Sequence, residues 1–182
     1  TNPAPASTGN QTRDAANFNN ADRSKTDHNW DMTLLARYTP SPMQDIEFGF
    51  AHKTRSPNLH ERYTWSTWGM AEVMVNWAGD GNGYVGNLDL EPEVSHTLRA
   101  TFDWHDGTQK KWGLKATPYY TYIADYIDAR RCAPGDTLMA SGPVCTTANL
   151  SATISSVYLK FVNHDAHLYG LDVSGHFPLA ES

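Results

Sequence analysis

Met70 and Met74 stand four positions apart in WGMAEVMVNW, residues 68–77. If that stretch turns as a helix, both thioethers lie on one face. Paired thioether sulfurs suit a soft ion such as Cu(I). The competing reading is packing, because Trp65, Trp68 and Trp77 surround them and Met commonly fills gaps between aromatic rings. The three tryptophans are themselves candidates for contact with a ligand. His60, His164 and His167 add imidazoles, the commonest metal ligands, yet their spacing makes no cluster, and solvated or hydrogen-bonded histidines account for them more simply. His96 falls on an apolar face, where an interface suits it better than a metal does. Cys132 and Cys145 lie thirteen positions apart in one polar stretch. A disulfide closing such a loop is worth roughly 3 kcal/mol and implies an oxidising compartment. Two unrelated thiols are the alternative. A metal site is disfavoured, since the spacing is not CxxC and no His lies between them. Glu61, Glu72, Glu91 and Glu93 accompany no nucleophile pattern, and GxSxG, HExxH and phosphate-loop motifs are absent. The expectation is a protein that is not an enzyme and holds no cofactor firmly.

The elements that must position these residues are strands. From Val94 to Trp104 the residues alternate: Val94, His96, Leu98, Ala100, Phe102 and Trp104 share one face, and Ser95, Thr97, Arg99, Thr101 and Asp103 share the other. The polar stretch His105–Lys111 reverses the chain. The return arm alternates again, with Trp112, Leu114, Ala116, Pro118, Tyr120 and Tyr122 on the apolar face. Three further strands are expected at 29–39, 45–55 and 156–179. Each arm of the hairpin from Val94 to Tyr122 is about as long as the 9–11 residues that cross a bilayer core, against 5–6 for an ordinary globular strand. Pro118 is discordant: it costs a ladder bond or marks a bulge. A second bulge is expected at the polar run Asn163–His167.

The links are strictly asymmetric. Turns 40–44 and 105–111 are short; loops 1–28, 56–91 and 129–155 are long. All short turns then fall on one side of the sheet, the layout of outer-membrane barrels. Residues 1–28 hold almost no large apolar side chain and read as a mobile loop. Within 56–91, GDGNG needs positive φ. Tyr38, Trp104, Trp112 and Phe177 band one end of the apolar face, and Trp30, Tyr120 and Tyr122 the other, as aromatic girdles do. The fold class is therefore all-β: an antiparallel up-and-down meander of about five long strands, a partial transmembrane β-barrel. Five strands close no barrel. A soluble β-sandwich binding module with a tryptophan platform is the alternative; its core would be Leu98, Phe102, Trp104 and Trp112.

Composition bounds the rest. A chain of 182 residues with mean hydropathy −0.56 carries no apolar run long enough for a membrane-spanning helix, which leaves strands as the means of crossing. A net charge of −6 argues against nucleic acid. The first residues, TNPAPASTGNQT, show no basic or apolar leader pattern, and both ends read as cut from something longer.

Four segments carry a resemblance: KTRSPNLHERYTW (53–65), GNLDLEPEVSHTL (86–98), YYTYIADYID (119–128) and FVNHDAHLYGLDVSG (161–175). In order and spacing they resemble the TonB-dependent outer-membrane receptors, over most of 29–179. ERYTWSTWGMAEVM followed by GDGNGYVGN is most similar to the TonB-dependent copper receptor branch. The resemblance implies a 22-stranded barrel in the bacterial outer membrane, in contact with lipid, with a plug domain, the remaining strands and the TonB complex as partners and copper ion as transported substrate. Another metal or a siderophore is the alternative substrate. The branch's His-x-Met pair does not occur here, so those ligands are not carried over.

Overall fold

The structure is a computed structural model that describes residues 10–68, 74, 77–108, 111–137, 145 and 157–178. In chain order they form α1 (Asn10–Asn20), β1 (Met32–Ser41), β2 (Gln44–Arg55), α2 (Leu59–Tyr63), β3 (Gly83–Val85), β4 (Glu93–His105), β5 (Gly113–Arg131) and β6 (Tyr158–His176). The six strands make one sheet in the order β1-β2-β4-β5-β6-β3. Five long antiparallel-type strands were expected and are present; the sixth, β3, is a three-residue strand inside the expected loop 56–91. The chain divides into two compact units. Unit 1 is Thr1–His28, Ser56–Glu93 and Asp125–His164; unit 2 is Asn29–Arg55, Val94–Ala124 and Asp165–Ser182.

Unit 2 follows the alternation of its sequence. Met32↔His52, Leu34↔Phe50, Ala36↔Phe48 and Tyr38↔Ile46 are opposite in β1 and β2. His96↔Tyr122, Leu98↔Tyr120 and Trp104↔Leu114 are opposite in β4 and β5. Apolar partners thus share one face, and that face is bare: Leu34 is 57%, Phe48 54%, Leu98 59% and Leu171 61% exposed. A sandwich would have buried these side chains under a second sheet, so the single sheet overturns that alternative. On the other face Arg37 pairs with Asp45 at 2.6 Å, Arg99 with Glu47 at 3.3 Å and Lys115 with Asp103 at 3.1 Å. Facing threonines bond across the β4–β5 pair, Thr97 to Thr121 at 2.8 Å and Thr101 to Thr117 at 3.0 Å. Gly49 leaves room there for the Arg99 side chain. A Cβ at that position would stand 2.8 Å from Arg99 Nε, in the path the guanidinium takes toward Glu47.

Pro118 resolves in favour of lost pairing. The β4–β5 register is the same on both sides of it, from Arg99↔Tyr119 to Phe102↔Ala116, with no pairing at Ala100. The imino nitrogen withholds one ladder bond and the strand continues without a bulge. The run Asn163–His167 also lies inside the continuous strand β6. The irregular backbone sits across from it at Asp125, which has φ 57°, a region Asp tolerates better than most residues. The first short turn passes through Pro42 and Met43, between β1 and β2. Asp106 organises the second, its carboxylate accepting the N–H of Lys111 at 2.8 Å and of Thr108 at 3.0 Å, and the Thr108 hydroxyl. The Thr108 hydroxyl first, then those backbone donors, hold Asp106 well below the usual carboxylate range.

Unit 1 departs from the sequence reading more. Residues 1–28 do not form a featureless mobile loop, because 10–20 are helix α1. Asp14 is 3% and Ala15 4% exposed. One Asp seats the helix: its carboxylate accepts the Thr67 N–H at 2.8 Å and the Thr67 hydroxyl at 2.5 Å. A buried carboxylate with such partners anchors a segment that has little apolar area to offer. The loop 129–155 also begins later than expected, since β5 runs through Arg131. Gly79 and Gly81 have φ 68° and 75°, as the GDGNG turn requires.

Candidate functional site

The loop segments of unit 1 are held by polar clamps. Asn58 caps α2, accepting the N–H of His60 and of Glu61, both at 2.9 Å, while the Glu61 carboxylate accepts the Asn58 N–H at 2.8 Å. This directs Arg62 inward. Its side chain is 6% exposed, and the guanidinium forks onto Asp27 at 2.9 and 3.1 Å and also donates to the Leu90 carbonyl at 2.8 Å. The Arg62 hydrogen bonds hold Asp27 below the ordinary carboxylate range. Two backbone bonds tie the following stretch to α2: Gly86 N–H to Thr64 O at 2.7 Å and Asn87 N–H to Glu61 O at 2.9 Å. Gly86 cannot carry a side chain, because a Cβ would lie 2.8 Å from Thr64 N and 3.0 Å from the Arg62 carbonyl. Asn163 is the hub: its Oδ1 accepts the Glu91 N–H at 2.9 Å, and its Nδ2 donates to Glu91 O at 3.0 Å and Asp125 O at 2.6 Å.

Beneath these clamps lie two small cores. Tyr84, Leu90, Ile127 and Phe161 form one; Val85, Cys132 and Cys145 form the other. Cys132 and Cys145 are joined as a disulfide with Cα atoms 6.1 Å apart. Tyr84 is pushed up to about 12, first by burial and then by its hydrogen bond to Asp80, so it stays protonated. Exchanging Cys145 for Ser is expected to cost this loop roughly 3 kcal/mol of local stability. Protease cleavage between residues 129 and 157 reads it directly; cleavage rates equal to the parent's would refute the assignment.

The candidate ligand residues are dispersed. Trp65 lies against Phe18 of α1, with ring centroids 6.0 Å apart. Trp77 meets Phe161 edge-on at 5.6 Å and His60 at 6.1 Å, and is 43% exposed. Trp68 is half-buried. Among the described residues no ring contact joins the three. Met74 is 76% exposed; Met70, and most of the helical turn expected at 68–77, lie outside the described residues. His164 stands 4.0 Å from Asp128, and His167 Nδ1 bonds the Tyr120 hydroxyl at 2.7 Å. No group of three or more His, Cys, Asp or Glu among the described residues is placed to hold a metal ion.

Unit 2 supplies the other candidate surface. Arg37, Asp45, Glu47, Arg99, Asp103, Lys115 and Asp172 line a polar cavity of about 410 Å³. Its three cations each pair with a carboxylate and Asp172 adds a fourth acid, which suits contact with a polar partner or water.

Comparison with known proteins places this arrangement. A family model described as TonB dependent receptor-like, beta-barrel matches residues 6–180. No curated protein matches the chain. Among solved structures, the siderophore receptor PirA from Pseudomonas aeruginosa is similar, with a TM-score of 0.58 over 84% of this chain and 22% identity. The chain spans 26% of that receptor's length. At this identity the likeness bears on the fold alone.

Proposed function

Because this chain belongs to the TonB-dependent receptor β-barrel family, we propose that it is wall and outer vestibule of a bacterial outer-membrane receptor, with copper ion as transported substrate. The family is one of receptors and transporters, and its barrels reside in the outer membrane. The observation that carries the reading is the two-faced sheet of unit 2. An apolar face with Leu34, Phe48, Leu98 and Leu171 bare suits lipid, and the paired charges opposite suit a polar lumen. The strands build the wall, and the loops at 56–91 and 129–155 help form the outer vestibule that captures or admits substrate. A plug domain and the TonB complex are the partners such a receptor needs for gated uptake. Copper is supported by the likeness of ERYTWSTWGMAEVM and GDGNGYVGN to the copper receptor branch and by the thioethers of Met70 and Met74. An iron–siderophore or other metal complex is the second reading, favoured by the architecture shared with PirA.

Copper binding and uptake by the full-length parent, with and without residues 65–77, test this. Loss of binding on deletion, with the barrel assembled, is the expected result and assigns capture to this loop. Binding unchanged by the deletion removes Met70 and Met74 as ligands. A parent that binds no copper removes copper and leaves the second reading.

A further inference from the structure

The two short turns of unit 2 meet at one buried imidazole. His105 closes β4 and is 6% exposed; Asp45, near the start of the neighbouring strand β2, is 9% exposed. The His105 backbone N–H donates to the Met43 carbonyl at 3.0 Å, which ties the turn after β4 to the turn between β1 and β2. The ring spans the same junction. Its Nδ1 lies 2.9 Å from the Asp106 carbonyl oxygen, and its Nε2 lies 3.5 Å from Asp45 Oδ2. Asp45 is committed as an acceptor, since it also takes the Arg37 guanidinium at 2.6 Å and the Thr39 hydroxyl at 2.5 Å. Both ring nitrogens therefore face acceptors. A neutral imidazole has one N–H and would turn its other lone pair toward an oxygen. Only the imidazolium, with two N–H groups, answers both sides.

We propose that His105 is a proton-operated clasp between the two short turns, closed while its ring carries both protons and released when one is lost. A permanently charged side chain would hold the turns at every pH; an imidazole changes charge in the physiological range. The charged and titratable groups around the ring are these. Arg37 of β1 is held on Asp45. Glu47 of β2 is taken by Arg99 at 3.3 Å, and Asp103 of β4 by Lys115 of β5 at 3.1 Å. Asp106 spends its carboxylate on Thr108, Lys111 and Trp112. From β6 comes His176, whose ring lies over Gly113, the residue opposite His105. His105, in the polar turn stretch, is held above its ordinary value, first by the Asp106 carbonyl and then, against the cost of burial, by Asp45 and Asp103. Its contribution is thus whole below about 6.5, the unfolded value, and is lost as pH rises through the higher folded value.

The full-length parent, purified in detergent, is followed by hydrogen exchange from about pH 5 to about pH 9, each rate divided by the intrinsic rate at that pH. Protection of residues 42–46 and 103–107 is expected to fall about fivefold across this range, with residues 94–100 unchanged. His105→Gln should flatten the dependence. His176→Gln should leave it in place, which separates the clasp from the neighbouring imidazole. Protection that ignores pH in the parent, a slope kept in His105→Gln or a slope lost in His176→Gln overturns the proposal. Acylation by diethyl pyrocarbonate gives a second readout that needs no variant, because only the neutral ring reacts. A midpoint for His105 modification above about 6.5 supports the clasp, and one at or below that value overturns it. Neither readout depends on uptake, so the clasp can fail while the transport reading stands.

Discussion

Replacing Asp27 with Ala is expected to loosen unit 1 by about 3–5 kcal/mol, the cost of leaving a buried cation without its counter-ion. Arg62 has 6% of its side chain exposed and Asp27 17%, so water screens the pair poorly. The loss should appear as faster hydrogen exchange through α2 and residues 86–93, with unit 2 unaffected. Asp22→Ala is the control, since that carboxylate is exposed and, among the described residues, accepts only the Ser24 N–H. Adding Arg62→Leu to Asp27→Ala should recover part of the stability, because the uncompensated charge goes with it. Equal exchange in Asp27→Ala and Asp22→Ala would show that the clamp contributes nothing. The pH dependence has a definite sign. Asp27 is held below its usual value by Arg62, so its contribution is complete above the unfolded value of about 3.9. It disappears as pH falls through the lowered folded value. Mild acid down to about pH 4 should therefore leave the clamp closed.

Leu98→Arg is the second large effect. Leu98 is 59% exposed near the middle of β4, on the face assigned to lipid. An arginine at the bilayer midplane costs roughly 2–4 kcal/mol, falling toward zero at the interfaces. The full-length variant should assemble poorly in the outer membrane and unfold from vesicles at lower denaturant. Thr97→Ala, one residue away on the other face, should lose only its bond to Thr121, about 1 kcal/mol. If both variants assemble alike, the face is not in lipid.

These two residues mark where the sequence was legible. Leu98 belongs to a period-two pattern, and a strand's faces follow from parity alone. The wall of unit 2 was readable for that reason, down to Pro118. Asp27 could not be paired with Arg62 by reading, since 35 positions separate them and no periodicity links them. Helix α1 was hidden too, because its seat is one Asp on Thr67, 53 positions away, and not an apolar stripe. One signal was present and unused: Asn58 followed three positions later by Glu61 is a capping box. The four segments of family resemblance prove to be one hydrogen-bonded assembly, with Asn87 reaching Phe161 O at 3.2 Å and Asn163 joining Glu91 to Asp125. Pattern matching found the pieces; only the fold shows that they touch. The His105–Asp45 pair left no trace in spacing, because two neighbouring strands, not one motif, bring it together.

The short strand β3 has a bearing on how a larger wall is built. It runs parallel to β6, with Gly83, Tyr84 and Val85 opposite Tyr158, Leu159 and Lys160. Those three residues of β6 have their outer edge already occupied by the chain's own loop. Any strand that extends the sheet past β6 must stop short of Lys160 or displace β3, because one backbone edge pairs with one neighbour at a time. β3 thus acts as an end stop, and sets how far along β6 the next strand's register can climb.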